Sequence, residues 1–215
     1  MTRLHHYYHI YADAAWQPAV HEHFTALSES GLSEQNDFCL NIGVVGAAEK
    51  IDDVCEYLRT RDLSWRLVAS AAHGWEQLTL TALWSDAPSM DGPVLYAHTK
   101  GAHDTNEFNQ AWRRRMTHFT VTKWRDAVTA LHEYDAYGCH WMELEGSWFF
   151  GGNFWWTHMK HLRLLEPPRM ENRWKAEEWV GHLREKIEGF RVFDPAPGFP
   201  GTIQGGGNVV THEHE

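Results

Sequence analysis

Short β-favouring runs alternate with stretches of helical period through the N-terminal half of this chain, and that alternation leaves few folds open. His6–Tyr11 is aromatic and β-favouring, and reads as a first strand. Pro18 then opens a helical pattern in which Val20, Phe24 and Leu27 share a face, closed by Gly31. Phe38–Val45 reads as a second strand ended by Gly46, and Ile51, Val54, Cys55 and Leu58 have helical spacing. Trp65–Ala69 reads as a third strand, Trp75–Trp84 as a helix with Leu78 and Ala82 on one face, and Val94–Ala97 as a fourth strand. Strands exchanged for helices of this length predict an α/β fold with a mostly parallel central sheet flanked by helices. Such sheets bind ligands at the carboxyl ends of their strands, so the residues just after each strand are the first candidates.

The C-terminal half is less regular. Asn106–Tyr134 predicts a long helical segment, with Phe108, Trp112, Met116 and Phe119 in one phase and Trp124, Val128 and Leu131 in another. The phase slips near Thr120–Thr122, which allows two helices. Asp135–Met142 returns to a short strand. Phe149–Trp156 reads as a Gly-aromatic turn leading into a helix that Pro167 and Pro168 break, and Asn172–Lys186 as a further helix with Trp174, Trp179 and Leu183 inward. Pro and Gly dominate from Pro195 onward. These signals predict one domain over residues 1–200 and a flexible tail over 201–215.

Composition removes several function classes. The chain has 215 residues, enough for one large domain or two small ones, and its 43% hydrophobic content excludes global disorder. A formal charge of −10 disfavours nonspecific binding to nucleic acid without a local basic patch. Mean hydropathy is −0.52, and no apolar run approaches the ~18 residues that span a bilayer. The N-terminal stretch lacks the apolar run of a secretory signal. Cys39, Cys55 and Cys139 are odd in number and without metal-type spacing, so a reducing cytoplasm is the simplest home.

Four segments carry candidate chemistry. His98-Thr99-Lys100-Gly101 follows the fourth strand, where Lys100 offers a positive charge to a phosphate and Gly101 permits close backbone approach. Arg113, Arg114 and Arg115 make a positive patch in an acidic chain. On a helix three consecutive residues fan over about 200°, so Arg113 or Arg114, but not every arginine, can clamp a diphosphate. In Gly151-Gly152-Asn153-Phe154-Trp155-Trp156 the glycines admit a ligand, Asn153 supplies donors and an acceptor, and the aromatics can stack on a sugar face. Glu177 and Glu178 lie on a helix about 100° apart, so at most one faces a cleft as a general base. The 16 histidines invite a metal reading, but neither HExxH nor a paired Cys/His spacing occurs, and His212 and His214 fall in the tail.

In this order, His-Thr-Lys-Gly, Trp-Arg and Gly-Asn-Phe-Trp-Trp resemble the pattern of rhamnan-synthesis-type glycosyltransferases, and more closely that of small, mostly uncharacterised glycosyltransferases of bacteria and their phages. The resemblance runs from about Tyr7 to Trp179. It implies a single GT-A-like, Rossmann-like domain acting on a nucleotide-sugar donor and a hydroxyl-bearing acceptor. That acceptor would be a protein, a glycan or a lipid-linked glycan, with a slight lean to a soluble one. Tyr8, Tyr11, Ala12, His98, Thr99, Lys100, Gly101, Arg113 and Arg114 would bind the nucleotide-sugar. Gly152, Asn153, Trp155 and Trp156 would line the sugar or acceptor site, and Glu177 or Glu178 would be the base. The chain departs from the pattern in one respect: it has no Asp-X-Asp. The expectation is therefore that Lys100 with an arginine stabilises the leaving diphosphate in place of a divalent cation, Mn²⁺ or Mg²⁺ being the less favoured arrangement. Two rival classes remain at this point. A non-catalytic carbohydrate-binding protein would use the aromatics and have little need of Lys100, and a His-rich metalloprotein would need ligand spacing that the sequence lacks.

Overall fold

A computed structural model of the chain describes residues 3–103 and 106–197. The tail expected at 201–215, with His212 and His214, lies outside the described residues. Strand β1 (Leu4–Tyr11) is followed by α1 (Trp16–Glu29), β2 (Phe38–Val45), α2 (Ala48–Arg59), β3 (Trp65–Ala71), α3 (Gln77–Asp86) and β4 (Pro93–His98). Then come α4 (Glu107–Thr117), α5 (Trp124–Ala130), β5 (Ala136–Gly138), β6 (Trp141–Leu144), β7 (Ser147–Phe150), β8 (Trp155–His158), α6 (Met159–Leu162), α7 (Trp174–Glu178), α8 (Leu183–Lys186) and β9 (Val192–Phe193).

The main sheet has seven strands in the order β3-β2-β1-β4-β8-β5-β9, and β6 pairs with β7 in a separate hairpin. β1 pairs in parallel with β2 and β4, and β2 with β3. β8 alone runs antiparallel, between β4 and β5. The sheet is therefore mostly parallel and flanked by helices, as the alternation of periods predicts. Strands β1 and β4 at its middle are buried on both faces. Tyr8, Ile10, Leu95 and Trp156 pack on one side with α1, α2 and α5; Tyr7, Tyr96 and Trp155 pack on the other with α3, α6 and α7.

Three expectations about local structure are corrected. Trp155 and Trp156 form strand β8 rather than a turn before a helix, because their indoles fill the two faces of the sheet beside β4. The expected helix over Asn172–Lys186 is broken into α7, a 3₁₀ turn at Val180–His182 and α8, with Gly181 packed so closely on the Trp148 carbonyl that a Cβ there would lie 1.7 Å from its oxygen. Trp174, expected inward, is 56% exposed. The phase slip near Thr120 is real: His118–Thr122 is a π-helical turn, and the Thr120 carbonyl accepts from the Trp156 indole at 2.7 Å.

Burying β1 and β4 also buries histidines in neutral form. Desolvation lowers His6 to about 4 and His9 and His98 to about 3, from 6.5. Below that ordinary value the unfolded chain binds protons that the folded chain refuses, so this stability is complete above pH 6.5 and is lost as the pH falls. At pH 5 the loss is roughly 2 kcal/mol for each histidine. Glu76, Glu177 and Asp194, which burial raises, offset part of it. Calorimetry should give a plateau in Tm above neutrality and a steep fall between pH 6.5 and 4. An unchanged Tm from pH 7.5 to 5 would contradict the buried-neutral assignment.

Candidate functional site

The carboxyl ends of the parallel strands meet the Gly151–Asn153 turn that precedes β8. Thr99 is fixed by its amide, which donates to the His9 carbonyl, and by its Oγ1, which accepts from the Tyr11 amide at 3.0 Å. The turn closes through Ala102, whose amide donates to the Thr99 carbonyl, and Gly101 adopts φ +75° against Asn109. Lys100 is thereby held at the strand end, with Nζ 4.2 Å from the centre of the Trp112 ring. Gly152 has φ +88°, and a Cβ there would meet Met116 Sδ at 2.6 Å.

Two carboxylates converge on this lysine. Glu76, in the segment after β3, accepts from Asn153 Nδ2 at 2.7 Å and from the Tyr96 hydroxyl at 3.1 Å. Glu177, on α7, lies within electrostatic reach of Lys100, Glu76 and His98, and of the Gly152 amide. Burial raises both carboxyls above the ordinary value, while Lys100 favours the ionised form of each. His98 faces Gly152 O at 2.9 Å through Nε2 and Glu76 Oε1 at 3.4 Å through Nδ1. Neutral His98 has one ring proton, and a carbonyl only accepts, so that proton sits on Nε2. The free Nδ1 lone pair then points at Glu76 Oε1, an arrangement that a proton on Glu76 satisfies.

The structure sorts the residues expected from sequence. His98, Thr99, Lys100, Gly101, Gly152 and Glu177 come together, with Tyr11 at the adjoining end of β1. Glu178 does not: it pairs with Lys175 Nζ at 2.6 Å and faces a separate cavity of about 370 Å³ lined by Trp148, Gly181 and Arg184. Arg113 is also drawn away. It is buried, its guanidinium is paired with Glu22, and its NH1 donates to the Lys100 carbonyl at 2.8 Å, so it positions the lysine turn instead of clamping a diphosphate. Arg114 is exposed and faces a cleft of about 400 Å³ lined by His21, Glu22 and Glu29.

Tyr8 is buried in the core, stacked on His23 with ring centroids 4.2 Å apart, and Ala12 is buried where its amide donates to Val45 O. Trp155 and Trp156 are fully buried and offer no face to a sugar. Asn153, likewise buried, has φ +57°, and its Oδ1 accepts from the Trp155 indole at 2.7 Å. It is a positioning residue that ties Glu76 to β8. Asn153→Ala should leave the buried Trp155 indole N–H without its partner and Glu76 without one of its two donors, lowering stability by roughly 3 kcal/mol. A urea midpoint unchanged from the parent would contradict that role.

Sequence reasoning missed Glu76, which has no local motif and falls inside the predicted helix Trp75–Trp84. Its place just after the third strand, at the ligand-binding edge of an α/β sheet, was the available signal.

Comparison with solved structures finds a likeness of fold. A mannosyltransferase from Pyrobaculum calidifontis, solved with GDP-Man and Mn²⁺, superposes with a TM-score of 0.53 at 17% identity, over 90% of this chain and 55% of that one. A provisionally assigned nucleotide-diphospho-sugar transferase from Desulfovibrio desulfuricans G20 gives a TM-score of 0.46 at 8% identity, over 91% of this chain and 80% of that one. A 4-diphosphocytidyl-2C-methyl-D-erythritol synthase from Anaerococcus prevotii DSM 20548 gives 0.48 at 10% identity, over 90% and 89%. No curated protein matches the sequence. The chain belongs to DUF8361, a domain family of unknown function, which it matches over residues 7–194.

Both ring nitrogens of His98 face protein partners, Thr99 Oγ1 holds the Tyr11 amide, and Lys100 brings a positive charge to the same place. Among the described residues no three His, Cys, Asp or Glu side chains are grouped to hold a metal ion. No helix among them is long and apolar enough to cross a membrane.

Proposed function

We propose that this chain is a glycosyltransferase that moves a sugar from a nucleotide-sugar donor to a hydroxyl acceptor, using residues 1–200 as one domain. The observation that carries this reading is the convergence of Glu177 and Lys100 on the ligand-binding edge of the sheet. Glu177 takes the proton of the acceptor hydroxyl as its oxygen forms a bond to the anomeric carbon. The bond from that carbon to the β-phosphate oxygen breaks, and Lys100 meets the charge left on the nucleoside diphosphate. The displacement inverts the anomeric centre and routes nothing through a metal. Glu76, His98 and Asn153 orient these two groups, and Tyr11, Thr99, Gly101 and Gly152 shape the donor side.

The ordered His-Thr-Lys-Gly, Trp-Arg and Gly-Asn-Phe-Trp-Trp segments support kinship with the rhamnan-synthesis-type enzymes and an origin in bacteria or their phages. Free Cys39, Cys55 and Cys139 agree with a reducing, cytoplasmic setting. The carbohydrate-binding alternative relied on Trp155 and Trp156 as stacking faces, and the core takes both.

Thermal shift against GDP-, UDP- and dTDP-sugars, followed by NMR of the product anomer, tests the reading. One donor should raise Tm and give an inverted glycoside. No shift with any donor would sink it.

A further inference from the structure

The stretch from α6 into α7 brings cations and exposed apolar side chains together. Lys160, Arg163, Arg169, Arg173 and Lys175 outnumber Glu166 and Glu171 over residues 160–175, in a chain of 19 basic and 29 acidic residues; Arg163 is paired with Asp91 and Lys175 with Glu178, which leaves Lys160, Arg169 and Arg173 to carry the patch. The run from Arg169 to Trp174 is exposed throughout. It contains two large apolar side chains, Met170 and Trp174, each 56% exposed, and Leu164 nearby is 47% exposed. Arg173 stacks over Trp174 with its guanidinium carbon 4.3 Å from the ring centre. A cleft of about 140 Å³ beside the same segment is lined by Arg169, Lys175 and Lys186 together with Glu166 and Glu185.

Its position relative to the site is defined. Gln77 Nε2 donates to the Asn172 carbonyl at 2.5 Å, which ties the run to the segment carrying Glu76 and the 43% exposed Trp75. On α7, Trp174 and Glu177 are three residues apart and so share one side of the helix.

We infer that the exposed run Arg169–Trp174 is a docking surface for an anionic lipid bilayer. Charge complementarity selects this occupant: an acidic chain is repelled by such a surface everywhere except where its cations cluster. The apolar members agree, since Trp, Met and Leu enter the headgroup boundary while arginines beside them meet lipid phosphates. A neutral sugar has no use for the cations, and a polyanion in solution has none for Met170 and Leu164. Docking there sets the Glu177 side of the site against the bilayer. The inference does not depend on the proposed reaction, because binding is read without turnover.

The test is co-sedimentation of the full chain with vesicles of phosphatidylcholine alone and of an equimolar mixture with phosphatidylglycerol. The chain should pellet with the mixed vesicles, remain in solution with the neutral ones, and be released by salt. Each cation at such a surface is worth roughly fivefold in partition, so Arg169→Ala with Arg173→Ala should weaken binding about 25-fold. Trp174→Ser should weaken it independently, and circular dichroism checks that both variants are folded. Equal binding to neutral vesicles, no binding to anionic ones at low salt, or folded variants that bind like the parent would each overturn the inference. A concentration-dependent dimer without vesicle binding would also overturn it, by assigning the patch to a second copy of the chain.

Discussion

Exchange of Glu177 for glutamine should lower the rate of sugar transfer by about 100- to 10,000-fold, the range for loss of a positioned general base. The glutamine keeps the shape of the side chain and a hydrogen-bonding oxygen toward the Gly152 amide, so the fold should stand. Burial raises the Glu177 carboxyl above its ordinary 4.5, which makes it a stronger base near neutrality than an exposed glutamate. A base must be ionised to act, so the parent rate should fall as acid is added through that raised pKa. Glu177→Gln should flatten this limb as well as lower the rate. His98 contributes no limb near neutrality, because burial holds it at about 3. Glu178→Gln is the matched control: it removes the Lys175 partner on another face and should leave transfer nearly intact. Equal losses at Glu177 and Glu178 would point to helix damage rather than base catalysis.

The second large effect is at Lys100. Its replacement by alanine should reduce turnover by about 100- to 1,000-fold, as for removal of one fixed electrostatic contact to a transition state. Stability should change little. The ammonium over Trp112 is a partly exposed cation–π contact, worth roughly 0.5–1 kcal/mol. The loss should appear mainly in kcat, because the charge it meets grows as the diphosphate leaves. Lys100→Arg should recover part of the rate by restoring a cation. A Lys100→Ala protein of parental activity would remove the lysine from the mechanism.

The fold was largely legible because its signals are local. Each of the four parallel strands is a contiguous β-favouring run, and the π-turn at His118–Thr122 shows as a slip in helical phase. The Trp155–Trp156 strand was not legible, since two glycines before it imitate a turn and its pairing with β4 lies about 60 residues away. The site divides in the same way. His98 to Gly101 could be read because one strand end carries them all. The choice between Glu177 and Glu178 could not, because it is set by the Lys175 pair and by Asn153 donating to the Ala176 carbonyl at 3.3 Å. Arg113 looked like a ligand clamp because its partner, Glu22, is 91 residues distant. Glu76 was hidden for a related reason: its role comes from Tyr96, His98 and Asn153, which reach it from other elements.

The central claim is that fixed positive charge on Lys100 replaces a divalent cation at the strand-end site. It is tested most directly by measuring nucleoside diphosphate released from the donor that binds, in EDTA and in Mn²⁺, for the parent and for Lys100→Ala. The account predicts release by the parent in both conditions and its loss in the variant in both. Release by the parent only with Mn²⁺, with the variant equally active, would contradict it.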